Sequence, residues 1–186
     1  MNEAVVLTTQ QAKQVREWLS DNGQQLISDV CLMMQTTVTR ISDALSLTFE
    51  DVLSGEIDIT EQKTGKRKAL ELHDAVIEMV ARRRKEFPKD VHVFRSQRNR
   101  SMNKQKPVTR EEVSRQISKA AKALGIRGTV SAHSFRKAGS MAVYAASGND
   151  IAQAMAILNH DNLKDTKKYL KLDKVTLSKT VKGMDV

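Results

Sequence analysis

Residues 131–147 read SAHSFRKAGSMAVYAAS. Ser131 suits an N-cap, the residues after it have helical spacing, and Gly148 ends the run, so the stretch predicts a helix. His133 and Arg136 lie three apart and share one face of it. An imidazole beside a guanidinium suits a phosphate: Arg offers a planar fork to two oxygens, and His donates a hydrogen bond or moves a proton near neutral pH. An ordinary helix surface carries such pairs too, and spacing alone leaves both readings open.

Downstream, Asn149 is placed to cap DIAQAMAIL (residues 150–158), and DTKKYLKL (165–172) predicts a short last helix. The tail 173–186 has an amphipathic hint in VTLSKTV and is open to packing in cis or in trans. Upstream, Thr109 with Glu112 caps a helix ending at Gly125, and residues 95–106 (RSQRNRSMNKQK) form a polar, basic loop. VHVF (91–94) reads as a short strand and DAVIEMVARRRKEF (74–87) as a helix. The run GEIDITEQKTGKRKALEL (55–72) alternates on both sides of Thr64-Gly65, the pattern of a β-hairpin with Lys63 at its turn. Ser42 is placed to cap DALSL, a helix is expected over Gln24–Thr36, and Thr8 with Gln11 opens a first helix closed by Asn22-Gly23. The fold class is α+β and mostly α, with one small antiparallel sheet.

A chain of 186 residues, 40% hydrophobic, fits one domain with a real core. No apolar run approaches the roughly 20 residues that span a bilayer, and MNEAVVLTT lacks a signal-peptide plan, so a cytoplasmic protein is expected. Cys31, in VCLMM, reads as a reduced core residue. The net charge of +9 is asymmetric: residues 1–93 carry 12 Lys+Arg against 15 Asp+Glu, whereas residues 94–186 carry 19 against 7. The basic half is either a solvated face or a nucleic-acid surface. With only 4% aromatics, base stacking fits poorly and contact with the backbone of a duplex fits better.

His73, His92, His133 and His160 show neither HxxxH nor HExxH spacing, so no metal site and no cofactor are expected. Phosphoryl transfer without a metal needs fixed cations converging from separate elements. Arg40, with Asp43 three residues on, reads either as a structural ion pair or as a second phosphate ligand. Of the two tyrosines, Tyr144 lies in an apolar helix and suits the core. Tyr169 follows Lys167-Lys168 in a polar, basic helix and reads as the exposed, electropositive one of the two, serving packing or, with cations favouring the phenolate, attack.

The order and spacing of four fragments resemble the catalytic domain of the tyrosine recombinases, the phage-integrase and Xer-like family. They are TRISDALSLTFEDV with Arg40, QKTGKRKALEL with Lys63, HSFR with His133 and Arg136, and LNHDNLKDTKKYL with His160 and Tyr169. The resemblance covers nearly the whole chain and implies a helical bundle with the small sheet on one side. It further implies that Arg40 and Arg136 clamp the scissile phosphate, that His133 and His160 hydrogen-bond it and assist proton transfer, that Lys63 protonates the leaving 5′ oxygen, and that Tyr169 attacks. Asp43 would orient Arg40. The implied activity is site-specific recombination of duplex DNA through a 3′-phosphotyrosyl intermediate, without metal or ATP, by self-association into a tetrameric synapse at the nucleoid. A type IB-like topoisomerase and a catalytically reduced DNA-binding accessory are the alternatives.

Three positions depart from the family pattern: Val38-Thr39 for Gly-Leu, Lys137 for His, and Asn159 for Gly. Asn tolerates the left-handed region, so Asn159 is expected to replace Gly. The whole chain reads as a single catalytic domain without the N-terminal clamp domain, as in a naturally short member similar to the fimbrial phase-variation recombinases, or as an excised domain. Base reading is expected on the basic helix Arg110–Ala123, whose charges suit backbone contact equally well.

Overall fold

The computed structural model describes residues 4–170 and residue 172; the tail expectation for 173–186 lies outside the described residues. The chain divides into two compact units, Met1–Gly139 and Ser140–Val186.

In the first unit, α1 (Thr9–Asp21) begins with the predicted capping box: Gln11 N–H donates to Thr8 Oγ1 (3.1 Å), and Thr8 N–H donates to Gln11 Oε1 (3.0 Å). It packs on α2 (Gln25–Thr37), which is apolar nearly all round and therefore central, touching α3 (Ile41–Ser46), α4 (Asp74–Glu86) and α6 (Arg110–Ala123) as well. Val15, Leu19, Val30, Cys31, Met33, Val76, Val113, Ile117 and Phe135 fill the space between them. Strands β1 (Glu56–Thr60) and β2 (Arg67–Glu71) form an antiparallel hairpin in which Ile59 pairs with Lys68 and Thr60 with Arg67. It turns at the predicted Thr64-Gly65, where Gly65 takes φ +67°.

Three local expectations for this unit are corrected. Arg40, with extended backbone (φ −72°, ψ 154°), holds the N-cap position of α3, and Ser42 lies inside the first turn. Residues 91–94 form no strand: the extended stretch opposite them is so short that pairing stops at a single bridge, Thr48 with His92. The basic loop contains a helix, α5 (Gln97–Ser101). Buried Asp90 orders it, accepting from Arg95 (2.8 Å) and Arg100 (2.5 Å), and the Arg100 guanidinium stacks 3.4 Å from the Phe87 ring centre.

Helix α7 (Ala132–Ala146) runs through the unit boundary. In the second unit its last turns lead to α8 (Ile151–Leu158), which packs on α9 (Leu163–Leu170). Asp150, not Asn149, caps α8, accepting from Ala152 N–H at 2.8 Å; Asn149 takes φ +69° in the turn. Asn159 takes the left-handed conformation expected of it (φ 59°, ψ 37°). Tyr144 is half-buried rather than in the core.

Candidate active site

Arg40 owes its position to an irregular end of α2. Val38 lies in the left-handed region (φ 52°, ψ 33°), where a β-branched residue is strained. Its surroundings hold it there. The Thr37 hydroxyl donates to Met33 O (2.7 Å), Thr37 and Thr39 share a buried hydroxyl contact (2.9 Å), and Lys68 Nζ donates to Val38 O (3.2 Å). Helix α7 comes against the same corner: a Cβ on Gly139 would stand 1.9 Å from Gln35 O. One turn earlier on α7, Arg136 is brought to the residues around Arg40.

The meeting point is Glu61. Its Oε2 lies 2.7 Å from Arg40 Nη1 and its Oε1 3.9 Å from Arg136 Nη1. Both Glu61 and Arg136 are buried, the carboxylate side chain completely, while Arg40 keeps a fifth of its side chain exposed. The hairpin tip is built around this group: Gly65 N–H donates to Glu61 O (2.8 Å), and the Thr64 hydroxyl donates to Glu61 Oε2 (2.7 Å). Asp43, expected to orient Arg40, instead accepts from the Gln62 N–H (3.0 Å) and so fastens the tip to α3.

Burial pushes the Glu61 carboxyl up, but hydrogen bonds from Thr64 and Arg40 and the charges of Arg40 and Arg136 outweigh it and hold it below the usual carboxylate range. Lys68 is buried in the same cluster. Desolvation first, then the charges of Arg136 and Arg40, lower its ammonium to about 7, against the opposing pull of Glu61 and Asp43.

Neither Glu61 nor Lys68 was among the expected site residues. The signal that marks them is strand alternation: Ile57, Ile59 and Glu61 share one face, as do Lys68, Leu70 and Leu72, so each apolar stripe carries one charge. Lys63 lies exposed at the hairpin tip, two residues from Glu61. His133 is exposed at the start of α7 whereas Arg136 is buried, so the two share a helix but not an environment.

In the second unit, His160 and Tyr169 are brought together edge to face, with ring centres 5.7 Å apart and planes at 87°. His160 Nδ1 lies 3.1 Å from the hydroxyl of buried Thr166, one turn before Tyr169 on α9, which fixes the ring's orientation. Tyr169 is half-buried with its hydroxyl shielded from solvent, not the exposed residue expected. The described residues contain no group of His, Cys, Asp or Glu arranged to hold a metal ion.

The first unit thus holds two arginines from distant parts of the chain on one carboxylate, with a lysine at the hairpin tip two residues away, and the second unit pairs a tyrosine with a histidine, on a mostly helical fold with one small sheet. Solved structures share this fold. XerA recombinase matches with a TM-score of 0.75 at 20% identity, over 98% of this chain and 66% of that one. A lambda integrase dimer bound to a COC′ core site matches at 0.72 and 20%, over 91% and 48%. XerH in a post-cleavage complex with palindromic difH matches at 0.72 and 20%, over 95% and 52%. The chain thus spans two thirds or less of these proteins. The probable integrase/recombinase YoeC of Bacillus subtilis (strain 168) is 30% identical over 138 residues, covering 74% of this chain and 72% of its own. Residues 5–175 match the phage integrase family, and the chain belongs to that family, the DNA breaking-and-rejoining tyrosine recombinases.

Proposed function

We propose that this chain is the catalytic domain of a site-specific recombinase that cuts and rejoins duplex DNA. The observation that carries the reading is the convergence of Arg40 and Arg136 on one buried anion, Glu61, since guanidinia that converge on a carboxylate have the geometry to grip a phosphate. The two arginines hold the non-bridging oxygens of the scissile phosphate, and His133 and His160 add hydrogen bonds. The Tyr169 oxygen attacks phosphorus as its proton passes to an imidazole of the site, that of His133 or His160. The bond from phosphorus to the 5′ oxygen breaks, and Lys63 gives that oxygen a proton. The product is a 3′-phosphotyrosyl linkage, which a 5′ hydroxyl of another strand reverses. Fixed cations supply the stabilisation of the transferring group, so no metal or ATP enters the scheme.

Rejoining to a different duplex requires more than one subunit, and lambda integrase is known as a dimer on its core site and as a tetramer on a Holliday junction. Self-association on DNA, in the cytoplasm at the nucleoid, belongs to the same proposal. No helix among the described residues is long and apolar enough to cross a membrane.

The test is covalent capture on a random-sequence pool of nicked duplexes, in which the short cleaved strand diffuses away. Wild type is expected to leave a denaturation-resistant protein–DNA adduct, and Tyr169→Phe none. Arg136→Ala should lose the adduct while keeping most DNA binding. An adduct with Tyr169→Phe equal to wild type would remove that residue from the nucleophile's place. Relaxation of a plasmid bearing no selected site, at the rate seen with one, would favour a topoisomerase.

A further inference from the structure

Glu61 has no part in the chemistry above, yet it is the group on which the arginines converge. A completely buried carboxylate is costly unless it is paired and hydrogen-bonded, and this one is both, with Arg40, Arg136 and the Thr64 hydroxyl around it. Without its charge, the two guanidinia would stand close together beside a buried corner with nothing to offset their repulsion. A guanidinium has five N–H donors, more than one carboxylate can accept from.

We infer that Glu61 is a positioning residue for the reaction: it sets the spacing and plane of Arg40 and Arg136 before DNA arrives. The inference rests on the proposed recombinase reading. Glu61 acts through the arginines on the non-bridging oxygens, and the hairpin tip, tied to α3 through Asp43 and Gln62, holds the carboxylate in place. The predicted signature is a slow cleavage step on DNA that is bound normally.

The experiment compares single-turnover adduct formation by wild type, Glu61→Gln, Glu61→Asp and Thr64→Val on duplexes recovered by wild-type capture, with affinity for the same duplex and thermal melting measured alongside. Glu61→Gln is expected to slow adduct formation about 10- to 100-fold at unchanged affinity, by analogy with the loss of a side chain that supports a metal ligand. Glu61→Asp, which keeps the charge, should recover part of the rate. A second substrate carries sulfur in place of the bridging 5′ oxygen, a leaving group that needs no proton. Lys63→Ala should recover on it, whereas Glu61→Gln should stay slow.

Should Glu61→Gln unfold, Thr64→Val, which removes the hydroxyl donor to the same oxygen from an exposed turn, should still give a smaller slowing. Full recovery of Glu61→Gln on the sulfur substrate would place its effect on proton delivery and overturn the inference. So would an unchanged rate, or a faster one, which would make the carboxylate a block on the phosphate seat. Wild-type adduct with no Glu61 effect defeats the inference alone; no wild-type adduct defeats the recombinase reading and the inference with it.

Discussion

Lys68 and Cys31 show what burial does to single groups. The Lys68 ammonium, lowered to about 7, leaves the folded state at a pH where an unfolded lysine, titrating near ~10.4, still holds its proton. Between those values the unfolded chain binds more protons, so the Lys68 contribution to stability grows as pH rises from about 7 and is least favourable below it. Lys68→Met should flatten that slope. The expected gain at pH 6 is on the order of 1–2 kcal/mol, less than the full shift implies, because Glu61 and Asp43 lose a nearby cation. Melting temperatures at pH 6 and pH 9.5 read this directly; the same pH dependence in both proteins would show that Lys68 is not held neutral. Cys31 lies in the core, and burial pushes its thiol far above the usual range. A thiol reagent should leave the native protein unmodified and label it fully once denatured.

At the scale of elements, the junction of α2 with α7 decides where the arginines stand. Because the Cβ of Gly139→Ala would meet a backbone oxygen at 1.9 Å, the helices must separate. The expected loss is about 3 kcal/mol or more, seen as a lower urea midpoint, together with a fall in adduct formation. Val38→Gly tests the other half of the corner. It relieves roughly 1–2 kcal/mol of left-handed strain and forfeits a similar amount of buried side chain, so the net change should stay within about 1 kcal/mol. A much larger loss would mean that the valine side chain, rather than the turn, holds the corner.

Across the whole molecule, charge is unequally shared, with the excess of Lys and Arg confined to residues 94–186. Arg98, Lys104, Lys106, Arg110, Lys119 and Lys122 are exposed within that half. Duplex affinity should therefore fall steeply with salt, and each of these residues that touches a phosphate should lower the log–log slope by about 0.9 when changed to Ala. An affinity indifferent to salt would remove DNA backbone contact from the account.

What the sequence by itself determined is whatever rests on local chemistry. The capping box at Thr8, the hairpin turn at Thr64-Gly65 and the left-handed Asn159 follow from a few neighbouring residues, and the order of the fragments bearing Arg40, Lys63, His133, Arg136, His160 and Tyr169 was enough to indicate the family. Only the tertiary structure decided which carboxylate meets the arginines. Asp43 is nearer Arg40 in sequence, yet Glu61 holds that place, because strand alternation turns it inward toward Arg40 at the N-cap of α3 and Arg136 on α7. A charge on an apolar strand face is visible in the sequence. Its meaning depends on which distant cations fold against it, and long-range packing alone brings those together.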